Sequence, residues 1–263
     1  MLRILSALTG SRGIAVTRGV PYGKTRRLRL DIHAPVRAAD DTYLLVLFHG
    51  GSWRIGDKAE YGFVGAAFAS AGITVAIPNY RLYPEVTFPD FVRDGAAAVA
   101  CAMTHVGGHR QVFLAGHSAG AHIAALLNLD RHYLEEAGVP PGTVTGTIGL
   151  SGPYDFLPLK RRHLRIFPEA VRAAGQPIAF VDGKAPPMLL ITGDRDRTVK
   201  PGNTTRLAAA ITAKGGEATA KIYPGVGHLG TMLALARIVP YRKPPVRADM
   251  IGFMRALAKR KSV

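Results

Sequence analysis

Apolar and polar positions alternate with period two over residues 25–33, where Leu28, Leu30 and Ile32 interleave with Arg27, Arg29 and Asp31. That pattern predicts a strand with one wet face near a sheet edge, ended by Pro35. The next apolar run, 43–48, is continuous and β-prone, as a central strand buried on both sides should be. The glycine-rich His49-Gly50-Gly51-Ser52-Trp53 follows it at once. Further on, the spacing predicts a helix over 58–71 closed by Gly72, a buried strand over 73–77, and a helix over 89–106. Pro89 lies near the first turn of that helix, where a missing N–H costs little. A strand over 111–115 and an alanine- and leucine-rich helix over 121–129 flank Gly116-His117-Ser118-Ala119-Gly120. Strands are then predicted over 144–150, 188–192 and 217–223, with a helix over 203–214 stopped by Gly215 and Gly216. Residues 247–261 predict an amphipathic terminal helix with Met250, Ile251, Met254 and Leu257 as its apolar face.

Strands alternating with helices imply an α/β fold, a mostly parallel sheet with helices on both faces. Between 151 and 187 the pattern breaks into prolines, a basic cluster and short apolar runs, too irregular for a domain. We read the chain as a single domain, 1–263, with a small cap or long loop over about 153–186. In such sheets functional loops gather at the carboxyl ends of strands, so the segments after Phe48, Ala115 and Thr192 can converge in space.

The chain has 263 residues, 48% of them apolar, which fits a globular protein. No apolar run approaches the roughly 20 residues of a membrane helix. Residues 1–10 carry one basic residue and a short apolar stretch without a convincing cleavage site, and are read as part of the mature protein. The single cysteine, Cys101, excludes an intrachain disulfide and a cysteine metal cluster; it suits a reducing compartment, and a cytoplasmic location is expected. No pair of His or carboxylates has zinc-like spacing beside another, so neither a metal nor another cofactor is expected. The 34 Lys and Arg against 18 Asp and Glu give a formal charge of +16. Such an excess can attract polyanions, but the basic residues are dispersed, with local clusters at 24–29, 160–165 and 259–261, and no nucleic-acid signature accompanies them. A solvated basic surface is the expectation, with no specific nucleic-acid partner; the sequence leaves the oligomeric state open.

A Gly-x-Ser-x-Gly pentapeptide between a strand and a helix is a turn so tight that the flanking side chains must vanish, with the serine at its apex. Ser118 is therefore the candidate nucleophile. A serine hydroxyl needs a base, and the base an orienting acid. Only His228 lies beyond His163, in the glycine loop Pro224-Gly225-Val226-Gly227-His228, just past the last predicted strand. The acid should follow the strand that ends near Thr192, where Asp194 and Asp196 both stand. Asp196 is favoured because it sits deeper in the loop, while Asp194 is placed to cap the turn. An oxyanion would be met by the backbone N–H of Ala119 and by Gly51 and Ser52, where a Cβ on the glycine would block the carbonyl oxygen. Trp53 and His117 are the candidate substrate contacts: Trp53 as a pocket wall, His117 beside the nucleophile, though a place inside the elbow also lets it point away. His49 is placed to brace the oxyanion loop, and His122, four residues after Ser118, to pack on the same helical face.

The elbow Gly-His-Ser-Ala-Gly, the loop His-Gly-Gly-Ser-Trp, Asn79-Tyr80-Arg81-Leu82 with Pro84-Glu85, Ser151-Gly152-Pro153-Tyr154-Asp155 and the late Asp and His together resemble α/β-hydrolases of the carboxylesterase group. The branch with feruloyl-esterase-like proteins and kynurenine formamidases is the most similar, over nearly the whole chain from Leu28. The resemblance implies a serine hydrolase that cleaves carboxylic esters of small to medium acyl groups through an acyl-enzyme. The oxyanion loop has two glycines before Ser52-Trp53, where hormone-sensitive-lipase relatives have three. The His-Gly-Gly-x-Trp form is that of kynurenine formamidases, which keeps an arylformamidase as the alternative. A non-catalytic binding protein on the same scaffold would be expected to lack a triad member, and none is missing.

Overall fold

Eight strands form one sheet in the order β1-β2-β4-β3-β5-β6-β7-β8 in the computed structural model, which describes residue 6 and residues 13–37, 43–107, 111–237 and 244–261. The strands are β1 (Ile14–Pro21), β2 (Arg29–Pro35), β3 (Tyr43–Phe48), β4 (Thr74–Pro78), β5 (Gln111–His117), β6 (Val144–Leu150), β7 (Met188–Gly193) and β8 (Ala218–Tyr223). The first two pairings, β1 with β2 and β2 with β4, are antiparallel, and from β4 through β3 to β8 all are parallel. The helices are α1 (Gly62–Ala69), α2 (Asp90–Val106), α3 (Ala119–Leu129), α4 (His132–Glu136), α5 (Gly202–Ala213), α6 (Gly230–Leu233) and α7 (Val246–Lys261).

The period of two in β3 divides the core. Leu44, Val46 and Phe48 pack with Phe91, Val92 and Val99 of α2 and Ile123 and Leu127 of α3. Leu45 and Leu47 point to the other face, against Phe63, Val64 and Phe68 of α1 and Met250, Met254 and Leu257 of α7. Burying each of these side chains contributes about 1.5–3 kcal/mol, and together they hold β3 and β5 at the centre of the sheet. Every residue of α3 is buried, so this helix carries alanine on all sides rather than an amphipathic stripe.

Two expectations need correction. The edge strand starts at Arg29, not at 25, because Leu28 N–H folds back onto the Thr25 carbonyl at 3.1 Å and makes a turn. Its wet face is also covered: β1 pairs outside it, and buried Asp31 accepts from Gly19 N–H at 2.8 Å and pairs with Lys58 at 2.6 Å. The 58–71 helix is a 3-10 turn, Lys58–Tyr61, running into α1. Apart from Ser6, the N-terminal ten residues lie outside the described ones.

Residues 151–187 cross the carboxyl end of the sheet with three short 3-10 turns and no longer helix. Their anchors are polar and specific. Asn203 Oδ1 accepts from the N–H of Tyr154 and Asp155 at 2.9 and 3.0 Å, and Gln176 Oε1 accepts from Phe156 N–H at 2.8 Å. Ile166 and Phe167 drop from this segment into the core beside α2.

Candidate active site

Ser118 sits between β5 and α3 with φ +54° and ψ −118°, a conformation that costs a non-glycine residue about 1–3 kcal/mol. Its neighbours in the pentapeptide explain why the chain tolerates it. A Cβ on Gly116 would lie 2.2 Å from the Gly120 carbonyl, and one on Gly120 would lie 2.1 Å from the Phe48 carbonyl. Only with both side chains absent can α3 start against the ends of β3 and β5. Ser118 N–H donates to Leu150 O at 2.8 Å, tying the turn to β6.

The three distant loops meet here. His228 Nε2 is 3.0 Å from Ser118 Oγ, and His228 Nδ1 is 2.8 Å from Asp196 Oδ2. With Nδ1–H donated to the carboxylate, Nε2 is the free acceptor for the serine proton. The other Asp196 oxygen accepts from the N–H of Thr198 and Val199, each at 2.9 Å. Burial alone would raise the Asp196 carboxyl; the hydrogen bonds from His228 and Val199 outweigh it and hold the pKa below the usual carboxylate value. Asp194 faces elsewhere, with its Oδ1 accepting from Gly225 N–H at 2.7 Å, and so closes the turn from which the His228 loop departs.

Ser52 and Trp53 of the loop after β3 line the cavity at Ser118 together with Ala119, whereas Gly51 does not. Ser52 and Trp53 have φ +52° and +58°, and Gly51 has φ +130° with space for no side chain, since a Cβ would lie 2.0 Å from Ile55 O. Gly51 O instead accepts from the N–H of Arg54 and Ile55, closing the loop on itself. Among the described residues nothing accepts from the N–H of Gly51, Ser52 or Ala119. His49 lies behind this loop, fully buried, stacked on Tyr80 at 4.3 Å, and the Tyr80 hydroxyl donates to His49 O at 2.8 Å.

His117, expected beside the substrate, is a correction: it is 2% exposed, does not line the cavity at Ser118, and its ring bridges two loops. Its Nε2–H donates to the His228 carbonyl at 3.0 Å, and its Nδ1 accepts from the Tyr61 hydroxyl at 3.3 Å. Tyr61 in turn accepts from Gly50 N–H at 2.9 Å. Burial, reinforced by the neighbouring His228, lowers the His117 pKa to about 4. Thr231 adds a second donor to the His228 carbonyl at 3.3 Å and meets the Ser151 hydroxyl at 3.2 Å.

The cavity at Ser118 has a volume of about 280 Å³. Trp53 forms its floor, stacked on Phe156 at 5.9 Å and edge-on to His122 and Phe167. His122 is buried in this aromatic group and donates Nε2–H to Gly175 O at 2.8 Å, fastening α3 to the 151–187 segment. Tyr61, Tyr80, Asp94, Ser151 and Thr231 have supporting places that their spacing in the sequence does not signal. Arg81 forks onto Asp94 at 2.7–3.1 Å, which fixes the segment carrying Tyr80. Among the described residues no three His, Cys, Asp or Glu side chains converge as a metal site would require, and no helix is long and apolar enough to cross a membrane.

A mostly parallel eight-stranded sheet with a serine elbow after β5, an acid after β7 and a histidine after β8 is the α/β-hydrolase fold. Residues 30–211 match the BD-FAE family model, and the chain belongs to that family. It is 32% identical over 153 residues to the kynurenine formamidase of Salmo salar, covering 57% of this chain and 50% of that protein. It is 27% identical over 245 residues to the isoprenylcysteine alpha-carbonyl methylesterase of Arabidopsis thaliana, covering 83% and 57%. The chain spans about half the length of the curated relatives it matches. Among solved structures, esterase B of Lactobacillus rhamnosis with a tributyrin phosphonate superposes with a TM-score of 0.84 at 20% identity, over 99% of this chain and 91% of that one. At that identity the likeness establishes the fold.

Proposed function

We propose that the protein is a serine hydrolase that cleaves carboxylic esters of small to medium acyl groups, with Ser118, His228 and Asp196 as its triad. The observation that carries this reading is the relay of 3.0 and 2.8 Å from hydroxyl to imidazole to carboxylate, opening on a cavity beside unpaired amides. Ser118 Oγ attacks the acyl carbon as His228 Nε2 takes its proton, and Asp196 stabilises the imidazolium. The oxygen that gains charge is met by the N–H groups of Gly51, Ser52 and Ala119. His228 then gives the proton to the departing alcohol, leaving the acyl group on Ser118. Water, deprotonated by His228, attacks the acyl carbon; the acyl C–Oγ bond then breaks, His228 returns the proton to Ser118 Oγ, and the acid is released. In this reading the chain is one domain, and 153–186 is a cap whose cavity of about 280 Å³ suits short acyl groups.

Turnover of p-nitrophenyl acetate and butyrate exceeding that of long-chain esters is the expected result; preference for long chains would overturn the acyl-size reading. The 32% identity to a kynurenine formamidase favours a second reading, hydrolysis of an aryl formamide by the same groups. Side-by-side kcat/KM for p-nitrophenyl acetate and N-formylkynurenine decides between them.

A further inference from the structure

The walls of the cavity at Ser118 differ sharply in character. Its buried and half-buried lining includes apolar Trp53, Pro153 and Phe156, whereas apolar Leu157 is exposed like the cations. Around them stand four cations, Lys160 and Arg162 from the cap segment and Lys200 and Arg206 from the chain after β7. Asp155 is the one carboxylate in the lining among the described residues, and it is already taken: Arg206 Nε lies 2.5 Å from its Oδ2, and Arg206 Nη2 donates to its main-chain oxygen at 2.8 Å. Lys160, Arg162 and Lys200 have no acidic partner among the described residues.

Arg162 Nε donates to His163 Nε2 at 3.1 Å, and the His163 ring is set edge-on against Trp53 at 5.6 Å. Arg162 lines the cavity, and among the described residues no hydrogen bond engages its outer guanidinium nitrogens. Burial lowers the His163 pKa to about 4, and the neighbouring cations Arg162, Lys160 and Arg54 add to the shift. Of the basic run at 160–165, Lys160 and Arg162 line the candidate site together with Lys200.

We propose that the ester hydrolysed at Ser118 carries a second, anionic group, a carboxylate or a phosphate, separated from the scissile carbonyl by an apolar spacer and held by Lys160, Arg162 and Lys200. The inference rests on the hydrolase reading above and adds the substrate class. The apolar inner wall takes the spacer, and the cations at the rim take the charge. Cations without counter-ions around a low-dielectric cleft focus their field and raise the local concentration of an oppositely charged substrate. A neutral ester of the same length gains nothing from them.

The test pairs each anionic ester with a neutral twin and follows acid release by pH-stat. Monomethyl adipate is compared with methyl hexanoate, and the acetate esters of 4-hydroxybutyrate and of butane-1,4-diol monophosphate with butyl acetate. These arms separate a carboxylate on the acyl side, a carboxylate on the alcohol side and a phosphate. At an ionic strength of about 20 mM, kcat/KM for at least one anionic member should exceed that of its twin about tenfold, shrinking toward parity at about 0.5 M salt. In the triple variant Lys160→Gln, Arg162→Gln, Lys200→Gln that ratio should fall to near one, with the change carried mainly by KM. Should the triple variant not fold, salt titration of the wild-type protein decides the same question. Turnover of both twins at parity in low salt, or a ratio that neither salt nor the substitutions move, overturns the inference alone. No turnover of any ester, with Ser118 unreactive to a fluorophosphonate, overturns the hydrolase reading and the inference with it.

Discussion

His117 Nε2–H donates to the main-chain carbonyl of His228 at 3.0 Å, so the residue just before the proposed nucleophile carries the backbone of the residue that faces it. The same ring accepts from Tyr61, which accepts from Gly50. One imidazole therefore joins the elbow, the base loop and the oxyanion loop. Each needs to be held to a fraction of an ångström, since a misplacement of about 1 Å can cost a hundredfold in rate.

Replacing His117 by Ala removes that brace and leaves the Tyr61 hydroxyl without an acceptor. We expect kcat for p-nitrophenyl acetate to fall about 10–100-fold and stability to drop by about 1–3 kcal/mol. His117→Gln keeps an N–H donor and should recover most of the rate. Steady-state kinetics beside thermal melts check both; a lower melting temperature with unchanged kcat in both variants would mean that the ring only packs.

The two aspartates of the loop after β7 have separate tasks. Asp196→Asn should lower kcat by about 10²–10⁴-fold, because the amide cannot hold His228 in the tautomer that frees Nε2. Asp194→Asn keeps an amide oxygen that can still accept from Gly225 N–H and should cost less than about tenfold. The reverse order would assign the acid to Asp194.

Gly120→Ala places a methyl group where the Phe48 carbonyl stands 2.1 Å away. The start of α3 must retreat, with a loss of stability of about 1–3 kcal/mol and a displaced Ser118. Slower labelling by a fluorophosphonate and a lower midpoint of urea unfolding would register the two effects; an unaffected midpoint would contradict the close approach.

The central strands and the elbow are legible because each is a local pattern. A run of six apolar residues is β3, and two glycines astride a serine have one geometry that suits them. The different partners of the two aspartates follow the same local logic, with Asp196 inward on His228 and Asp194 capping Gly225 N–H. The rest depends on contacts between distant segments. Strand β1 is half-exposed and mixed in composition, so only its pairing with β2 defines it. The short helices α4 and α6 are too brief to display a period. The direction of the His117 ring is set by Tyr61 and by the His228 carbonyl, 56 and 111 residues away, and nothing near His117 in sequence reports it.

Acid should destabilise the fold through its buried histidines. Burial lowers the pKa of His33, His49, His117 and His122 to about 4 in each case, against about 6.5 for an unfolded chain. Between those values the unfolded chain binds more protons than the native one, so stability falls as pH drops from about 6.5 to about 4 and levels off below. At pH 5 the loss is about 2 kcal/mol for each such histidine. Urea midpoints at pH 7 and pH 5 should differ accordingly, and His33→Gln, which removes one such group far from Ser118, should flatten the dependence. A midpoint that does not move over this interval would contradict the burial of these rings.

The most direct measurement is fluorophosphonate labelling, with mass mapping of the modified peptide, run beside ester turnover for the wild-type protein and Ser118→Ala. The expected result is a phosphonyl group on Ser118 of the wild type, none on the variant, and a loss of kcat of about 10³-fold or more with an unchanged circular dichroism spectrum. A Ser118→Ala protein that keeps near-wild-type ester turnover would contradict the account.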